Sequence, residues 1–186
     1  MEKTIGTSLL LITPVRRGDH RGFFAETYNR MQYLDYGIDV EFVQDNHSVS
    51  IGTGTLRGLH FQSIPNAQAK LVRCGRGAIF DVAVDIRRGS PTYGSWEGYE
   101  LSPENGLQLY IPVGFAHGFV TLQPNSEIVY KCSDYYVPET EGSIFWDDAD
   151  IGIDWPLVDD PILSSKDAVS PMLKDFDSPF IYGENS

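Results

Sequence analysis

Apolar and polar residues alternate in many short runs along the chain, with the two-residue period that is typical of half-buried β-strands. In the run 40–49, this alternation turns Gln44 and Asn46 to the same face, and two amides suit a polar cavity better than a dry core. In the run 78–86, large apolar residues share one face, while Asp81 lies on the other. The pattern predicts an all-β fold.

Two pairs of these runs are separated by turn residues and predict β-hairpins. The runs 71–74 and 78–86 are joined by a glycine-rich turn, and the runs 96–101 and 107–111 by Ser-Pro-Glu-Asn-Gly. About nine such strands predict a jelly roll, the double-stranded β-helix of cupin barrels, whose interior can hold a ligand. A plain sandwich is the alternative.

Only a few segments depart from the β pattern. Residues 29–37 predict one short helix, with Met31 and Leu34 spaced to pack on one side and Gly37 placed to end it. After Tyr136, prolines, glycines and acidic residues predict a loop-rich C-terminal wrap with a short helical turn rather than a second core. With 186 residues and 41% apolar content, we expect one cupin-like domain over 1–186.

Charge and composition exclude several classes of partner. With 26 acidic and 14 basic residues the net charge is −12, so no nucleic-acid interface is expected. Cys74 and Cys132 lack metal-binding spacing and predict buried free thiols. The apolar run 9–12 is too short to cross a membrane, and the charged start at Glu2 and Lys3 does not fit a signal peptide. We therefore expect a cytoplasmic protein without a membrane partner.

The stretch 56–62, Leu-Arg-Gly-Leu-His-Phe-Gln, puts a candidate base beside a fixed positive charge. On a regular strand Arg57 and His60 would point to opposite faces, because they are three residues apart. A bulge at Gly58 would turn both to one face, and bulges are common beside active sites. We therefore predict irregular pairing at Arg57 and Gly58.

Other candidates for chemistry come from distant segments, and each alone is weak evidence. A single His or Tyr on a strand is usually structural. A His held by a carboxylate, a Lys beside an enolate oxygen and a Tyr that returns a proton from the other side would together equip an epimerase. Lys70 and Tyr130 are available for the last two roles, and Tyr130 is preferred to Lys131 because it shares a face with apolar residues.

Metal binding is the alternative use of the histidines. Residues 112–117, Pro-Val-Gly-Phe-Ala-His, resemble one metal-binding segment of cupin barrels. The other segment departs from the pattern, because Gln62 stands where a second His would be and no Glu follows at a natural spacing. His60 and His117 without a carboxylate or thiolate make a poor transition-metal site. No metal is expected.

Six motifs follow one another along nearly the whole chain. They are Arg-Gly-Phe-Phe at 21–24, Gln-Asp-Asn-His-Ser at 44–48, the stretch at 56–62, Gln-Ala-Lys-Leu-Val-Arg at 68–73, Ile-Pro-Val-Gly-Phe-Ala-His-Gly-Phe at 111–119 and Leu-Ser-Ser-Lys-Asp at 163–167. Together they resemble the dTDP-4-dehydrorhamnose 3,5-epimerase family. One departure is Phe61, which stands where Tyr is frequent in that family.

The resemblance implies a cofactor-free homodimer of jelly-roll subunits. Its substrate would be dTDP-4-dehydro-6-deoxy-D-glucose, a dTDP-4-keto-6-deoxy sugar, on the way to dTDP-L-rhamnose. The resemblance implies that His60 is the base and Asp167 its orienting carboxylate. It likewise implies that Lys70 contacts the substrate and stabilises the enolate, and that Tyr130 is the acid on the other side.

The resemblance also implies how the substrate is bound. Arg57 and His117 would line the sugar and diphosphate region. The nucleotide would be held by a larger set, of which the segment 21–26 reaches across the dimer: Arg21, Phe23, Glu26, Gln44, Asn46, Tyr136 and Glu141.

Several alternatives stay open. One is an epimerase that inverts only C3 or only C5, or a ketoisomerase, acting on a related nucleotide 4-keto sugar. A second is a metal-dependent cupin oxygenase, which a tightly held metal would indicate. A third is a sugar-binding module without catalysis, in which Tyr130 would only pack.

Overall fold

The computed structural model of the chain describes residues 3–5 and 8–183, so the charged start at Glu2 lies outside the described residues. The strands of the described part are β1 (Lys3–Ile5), β2 (Leu10–Ile12), β3 (Arg16–Asp19), β4 (Gly22–Ala25), β5 (Gln44–Ser50), β6 (Leu56–Gln62), β7 (Lys70–Arg76), β8 (Ile79–Asp85), β9 (Trp96–Leu101), β10 (Gln108–Ile111), β11 (Phe115–Thr121), β12 (Ser126–Cys132) and β13 (Glu141–Ser143). The helix α1 spans Arg30–Asp35, and short 3-10 helices span Pro138–Thr140, Asp167–Val169 and Leu173–Asp175.

Most strands form two antiparallel sheets. One sheet has six strands in the order β1-β2-β10-β7-β12-β5, and the other has five in the order β13-β6-β11-β8-β9. The strands β3 and β4 form a separate hairpin. The predicted all-β jelly roll is confirmed.

The two hairpins predicted for residues 71–86 and 96–111 are wrong. Strands β7 and β10 belong to the six-stranded sheet, whereas β8 and β9 belong to the five-stranded sheet and pair with each other. Each predicted turn therefore carries the chain from one sheet to the other. The turn residues specify that the chain reverses its direction. They do not specify whether the next strand pairs with the previous strand in the same sheet or lies in the opposite sheet.

Buried apolar side chains lie on both sides of the five-stranded sheet. Between the sheets lies a core that includes Val72, Ala83 and Phe119. Outside the five-stranded sheet, the C-terminal wrap contributes residues such as Trp155 and Phe180 to a second core. The loop-rich C-terminal wrap predicted after Tyr136 is present, and it covers the sheet that carries β6.

The helix packs differently from the prediction. Met31 is 78% exposed and Leu34 is 41% exposed, whereas Tyr33 is buried and donates a hydrogen bond to Gln108 Oε1 at 2.9 Å. Because the helix has only six residues, only one turn faces the sheet, and Tyr33 is the residue of that turn that is buried. No helix within the described residues is long and apolar enough to cross a membrane.

Candidate active site

A bulge in β6 brings Arg57 and His60 to the same side of the sheet. His60 pairs with His117 of β11 and Arg57 pairs with Phe119, so two residues of β6 lie opposite Gly118 alone. Gly58 has φ +127°, and a Cβ there would lie 2.5 Å from the Gly118 Cα, so only glycine fits. The predicted irregular pairing is confirmed.

His60 forms a dyad with a carboxylate from the C-terminal wrap. Its Nε2 lies 2.6 Å from Oδ1 of Asp167, which is 2% exposed. Ser164 Oγ donates to the other oxygen of Asp167 at 2.7 Å. Burial alone would raise the pKa of Asp167, but the hydrogen bonds from His60, Ser164 and the Gly58 backbone hold this pKa below its ordinary value. The ionised Asp167 fixes the ring of His60 with Nδ1 free to exchange a proton.

A second histidine and carboxylate lie next to this dyad on the five-stranded sheet. His117 Nε2 donates to the two oxygens of Asp81, at 2.9 Å to Oδ2 and 3.1 Å to Oδ1. Burial lowers the pKa of His117 in spite of the Asp81 carboxylate, so the ring is neutral near pH 7. Its proton then lies on Nε2, which leaves Nδ1 as a hydrogen-bond acceptor.

The opposite wall of the cavity belongs to the six-stranded sheet. Lys70 of β7 and Tyr130 of β12 line the cavity together with His60. Burial lowers the pKa of Lys70 and raises the pKa of Tyr130. Lys131 points to the other face, where its Nζ lies 2.8 Å from Asp45. Tyr130 therefore lines this cavity, and Lys131 does not.

Polar side chains surround the opening of this cavity, which has a volume of about 250 Å³. Gln44 Nε2 donates a hydrogen bond to Asn46 Oδ1 at 3.1 Å, which agrees with the prediction that both side chains lie on the same face of β5. Tyr136 donates its hydroxyl proton to Glu141 Oε2 at 2.9 Å, and Lys166 Nζ lies 2.5 Å from the same oxygen. Glu141 of β13 thus links Tyr136, which follows β12, to the segment that carries Asp167.

Comparison with known proteins decides the family. A family model described as dTDP-4-dehydrorhamnose 3,5-epimerase matches residues 4–175. The chain belongs to this epimerase family. A dTDP-4-dehydrorhamnose 3,5-epimerase of Salmonella typhimurium is 55% identical over 172 residues, which cover 92% of this chain and 93% of the relative. A dTDP-4-dehydrorhamnose 3,5-epimerase of Methanothermobacter thermautotrophicus is 52% identical, and the match covers 89% of this chain and 89% of the relative.

Solved structures of the epimerase family have the same fold. A dTDP-6-deoxy-D-glucose-3,5-epimerase of Legionella pneumophila, in complex with dTDP-4-keto-L-rhamnose, superposes with a TM-score of 0.93. It is 46% identical, and the match covers 98% of this chain and 99% of that chain. A 3'-monoepimerase of Streptomyces bikiniensis, in complex with dTDP-quinovose, has a TM-score of 0.84 and 38% identity over 89% of this chain and 84% of that one.

Three of the residues that the resemblance assigned to the nucleotide do not line the cavity of this chain. Arg21 and Phe23 lie on the β3–β4 hairpin and Glu26 follows it. Arg21 is paired with Asp19, and Phe23 is 60% exposed. These residues are therefore not placed to contact a substrate bound in the cavity of the same subunit. Their role in nucleotide binding stays a prediction.

Several side chains of the site were not predicted from the sequence. Asp81 was noted only as a member of the polar face of its strand, although a carboxylate within a buried apolar strand is a signal for a functional group. Ser164 was noted only as part of a motif, and Lys166 gave no signal of its own. Within the described residues, no group of three or more His, Cys, Asp or Glu side chains could hold a metal ion. Cys74 and Cys132 are buried free thiols, as predicted.

Proposed function

We propose that the chain is a dTDP-4-dehydrorhamnose 3,5-epimerase that converts dTDP-4-dehydro-6-deoxy-D-glucose to dTDP-4-dehydro-L-rhamnose in the synthesis of dTDP-L-rhamnose. The observation that carries the proposal is that the His60 dyad and Tyr130 lie on facing sheets around one cavity. Inversion of a carbon requires that a proton leave one face of the sugar and return to the other. A base and an acid on opposite walls meet this requirement.

His60 takes the first proton. The carbonyl at C4 of the substrate acidifies the hydrogens at C3 and C5, because the electron pair of the broken C–H bond is delocalised onto the carbonyl oxygen. Nε2 of His60 is engaged by Asp167 at 2.6 Å, so Nδ1 accepts the proton. The ionised Asp167 stabilises the imidazolium that forms.

Lys70 and Tyr130 complete each inversion. The ammonium of Lys70 offsets the negative charge of the enolate oxygen. Tyr130 donates its hydroxyl proton to the face opposite His60. The imidazolium of His60 then releases its proton to solvent, and solvent protonates the phenolate, so both residues are ready for the second carbon. Burial raises the pKa of Tyr130, so the residue holds its proton at neutral pH and acts as the acid. The two steps at C3 and C5 are equivalent, and neither consumes a cofactor.

The proposed chemistry needs no metal. A metal-dependent cupin oxygenase would need further ligands beside His60 and His117, but no group of three or more His, Cys, Asp or Glu side chains within the described residues could hold a metal ion. The hydrogen bonds of His60 to Asp167 and of His117 to Asp81 suit an acid–base role for His60 and a binding role for His117.

The nucleotide is bound at the opening of the cavity. Arg57 and His117 contact the sugar and diphosphate, since a guanidinium is well suited to phosphate in an otherwise acidic protein. Gln44, Asn46, Tyr136 and Glu141 hold the nucleotide from this subunit. The exposed β3–β4 hairpin and the residue after it supply Arg21, Phe23 and Glu26 to the partner subunit of a homodimer. The whole chain acts as one domain in the cytoplasm.

The product of the reaction tests the function. We expect that purified protein incubated with dTDP-4-dehydro-6-deoxy-D-glucose forms a product with inverted configuration at both C3 and C5, as measured by proton coupling constants in NMR spectra. The control is the same incubation with boiled protein.

The second candidate is an epimerase that inverts one carbon. It is favoured by the likeness to the 3'-monoepimerase of Streptomyces bikiniensis. A product inverted at one carbon only would support this candidate and contradict the double epimerase. An unchanged sugar would contradict both.

A further inference from the structure

Gln62 is a buried amide that has no role in the proposed steps. It is the last residue of β6 and follows His60 by two positions, in a stretch that pairs regularly with β13, so both side chains lie on the same face of the strand. Gln62 is 4% exposed, and it lines the cavity together with His60 and Tyr130. Buried polar atoms usually have a hydrogen-bond partner, so an exception at a cavity wall indicates a place for a ligand.

The oxygen of the Gln62 amide is held by the turn that precedes β13. Oε1 accepts a hydrogen bond from the backbone N–H of Val137 at 2.9 Å, and it lies 3.1 Å from Thr140 Oγ1. A backbone N–H can only donate, so it must face the oxygen of the amide and not the nitrogen. The orientation of the amide is therefore fixed, with Nε2 directed away from Val137.

The nitrogen of the same amide faces the cavity. Within residues 3–5 and 8–183, Nε2 forms no hydrogen bond with another group. Every side-chain nitrogen or oxygen that is fully enclosed in this part of the chain has a partner, so Nε2 is not fully enclosed. The open space beside Gln62 is the cavity, and Nε2 offers its N–H donors to the molecule that fills it.

The depth of Gln62 indicates which part of the substrate it meets. Tyr136, which we assign to the nucleotide, is 51% exposed at the opening of the cavity, whereas Gln62 is 4% exposed. His60, Lys70 and Tyr130, which we assign to the sugar, line the same cavity as Gln62. A donor at this depth, on the same strand face as the base, meets an oxygen of the sugar.

We propose that Gln62 is a sugar-binding residue whose Nε2 donates a hydrogen bond to an oxygen of the 4-keto-6-deoxy sugar and so holds the sugar against His60. The inference rests on the proposed function, in which the cavity takes the sugar of a dTDP-4-keto sugar. The competing role is a structural one, in which Gln62 only holds the turn at Val137 and Thr140.

The test compares the binding of dTDP and of dTDP-quinovose by calorimetric titration. Quinovose has no carbonyl at C4, so it occupies the sugar site without being epimerised. Gln62→Met keeps the length of the side chain and removes its donor. The affinity for dTDP-quinovose, relative to that for dTDP, should fall by about 10- to 100-fold, because the variant leaves a sugar oxygen without its partner.

The matched control is Thr140→Val, which removes a neighbour of Oε1 and keeps the donor at Nε2. It loosens the turn beside Tyr136, so it should change the binding of both ligands alike and leave their relative affinity unchanged. An unchanged relative affinity in Gln62→Met would overturn the inference, whether the two affinities are retained or fall together.

If Gln62→Met does not fold, the unaltered protein gives the answer by NMR of its ¹⁵N-labelled side-chain amides. The Nε2 signals of Gln62, assigned by triple-resonance spectra, should shift more on addition of dTDP-quinovose than on addition of dTDP. Equal shifts would contradict the inference. Neither measurement needs turnover, so a protein that binds the sugar in this way without epimerising it would contradict the proposed function and not the role of Gln62.

Discussion

Replacing His60 with Asn should lower kcat by about 10²- to 10⁴-fold, the usual contribution of a general base. The variant should also lose exchange of the substrate hydrogens at C3 and C5 with D₂O, because Nδ1 of His60 takes the proton in both steps. Binding of dTDP should be unchanged, since the proposed binding site of the nucleotide is the opening of the cavity. Steady-state kinetics, NMR of the substrate in D₂O and calorimetric titration with dTDP measure the three quantities.

The matched control for this variant is His47→Asn. His47 lies on the exposed face of β5, beside Glu127, and should be replaceable without loss of activity. If His60→Asn instead weakened dTDP binding as strongly as it lowered kcat, His60 would be a contact residue and not the base.

Replacing Tyr130 with Phe should separate removal of the proton from its return. The variant keeps His60, so it should still exchange substrate hydrogens with D₂O and give deuterated sugar of unchanged configuration. Formation of the inverted product should decrease by about 10²- to 10⁴-fold, because no acid remains on the wall opposite His60. NMR follows the isotope content and the configuration in one experiment.

Tyr110→Phe is the control, since Tyr110 is buried on the outer side of the six-stranded sheet, away from the cavity. A Tyr130→Phe variant with normal inversion would indicate that Tyr130 only packs. That is the outcome expected for a binding module, or for an enzyme in which another group returns the proton.

Strand periodicity predicted much of the site from local information. The parity conflict between Arg57 and His60 located the bulge at Gly58, and the alternation in β5 placed Gln44 and Asn46 on one face. Side-chain direction is a local property of a strand, so the sequence contains it. The pairing of strands is not local, and the predicted hairpins were wrong because the turns pass between sheets.

No local pattern in the sequence predicts which carboxylate binds His60. Asp167 lies 107 residues downstream in a short 3-10 helix, and only the resemblance to an epimerase family pointed to it. The β3–β4 hairpin is a similar case, because its aromatic residues Phe23 and Phe24 remain exposed in the single chain. Asp81 was predicted to lie on the face of β8 opposite the large apolar residues, but its bond to His117 depends on the register between β8 and β11.

In the proposed mechanism, a base and an acid on opposite walls of the cavity invert two carbons of one sugar through an enolate. Turnover of dTDP-4-dehydro-6-deoxy-D-glucose in D₂O by the unaltered protein is the decisive measurement. We expect a product with inverted configuration and solvent deuterium at both C3 and C5. Inverted product without solvent deuterium at these carbons, or no deuterium in either substrate or product, would contradict it.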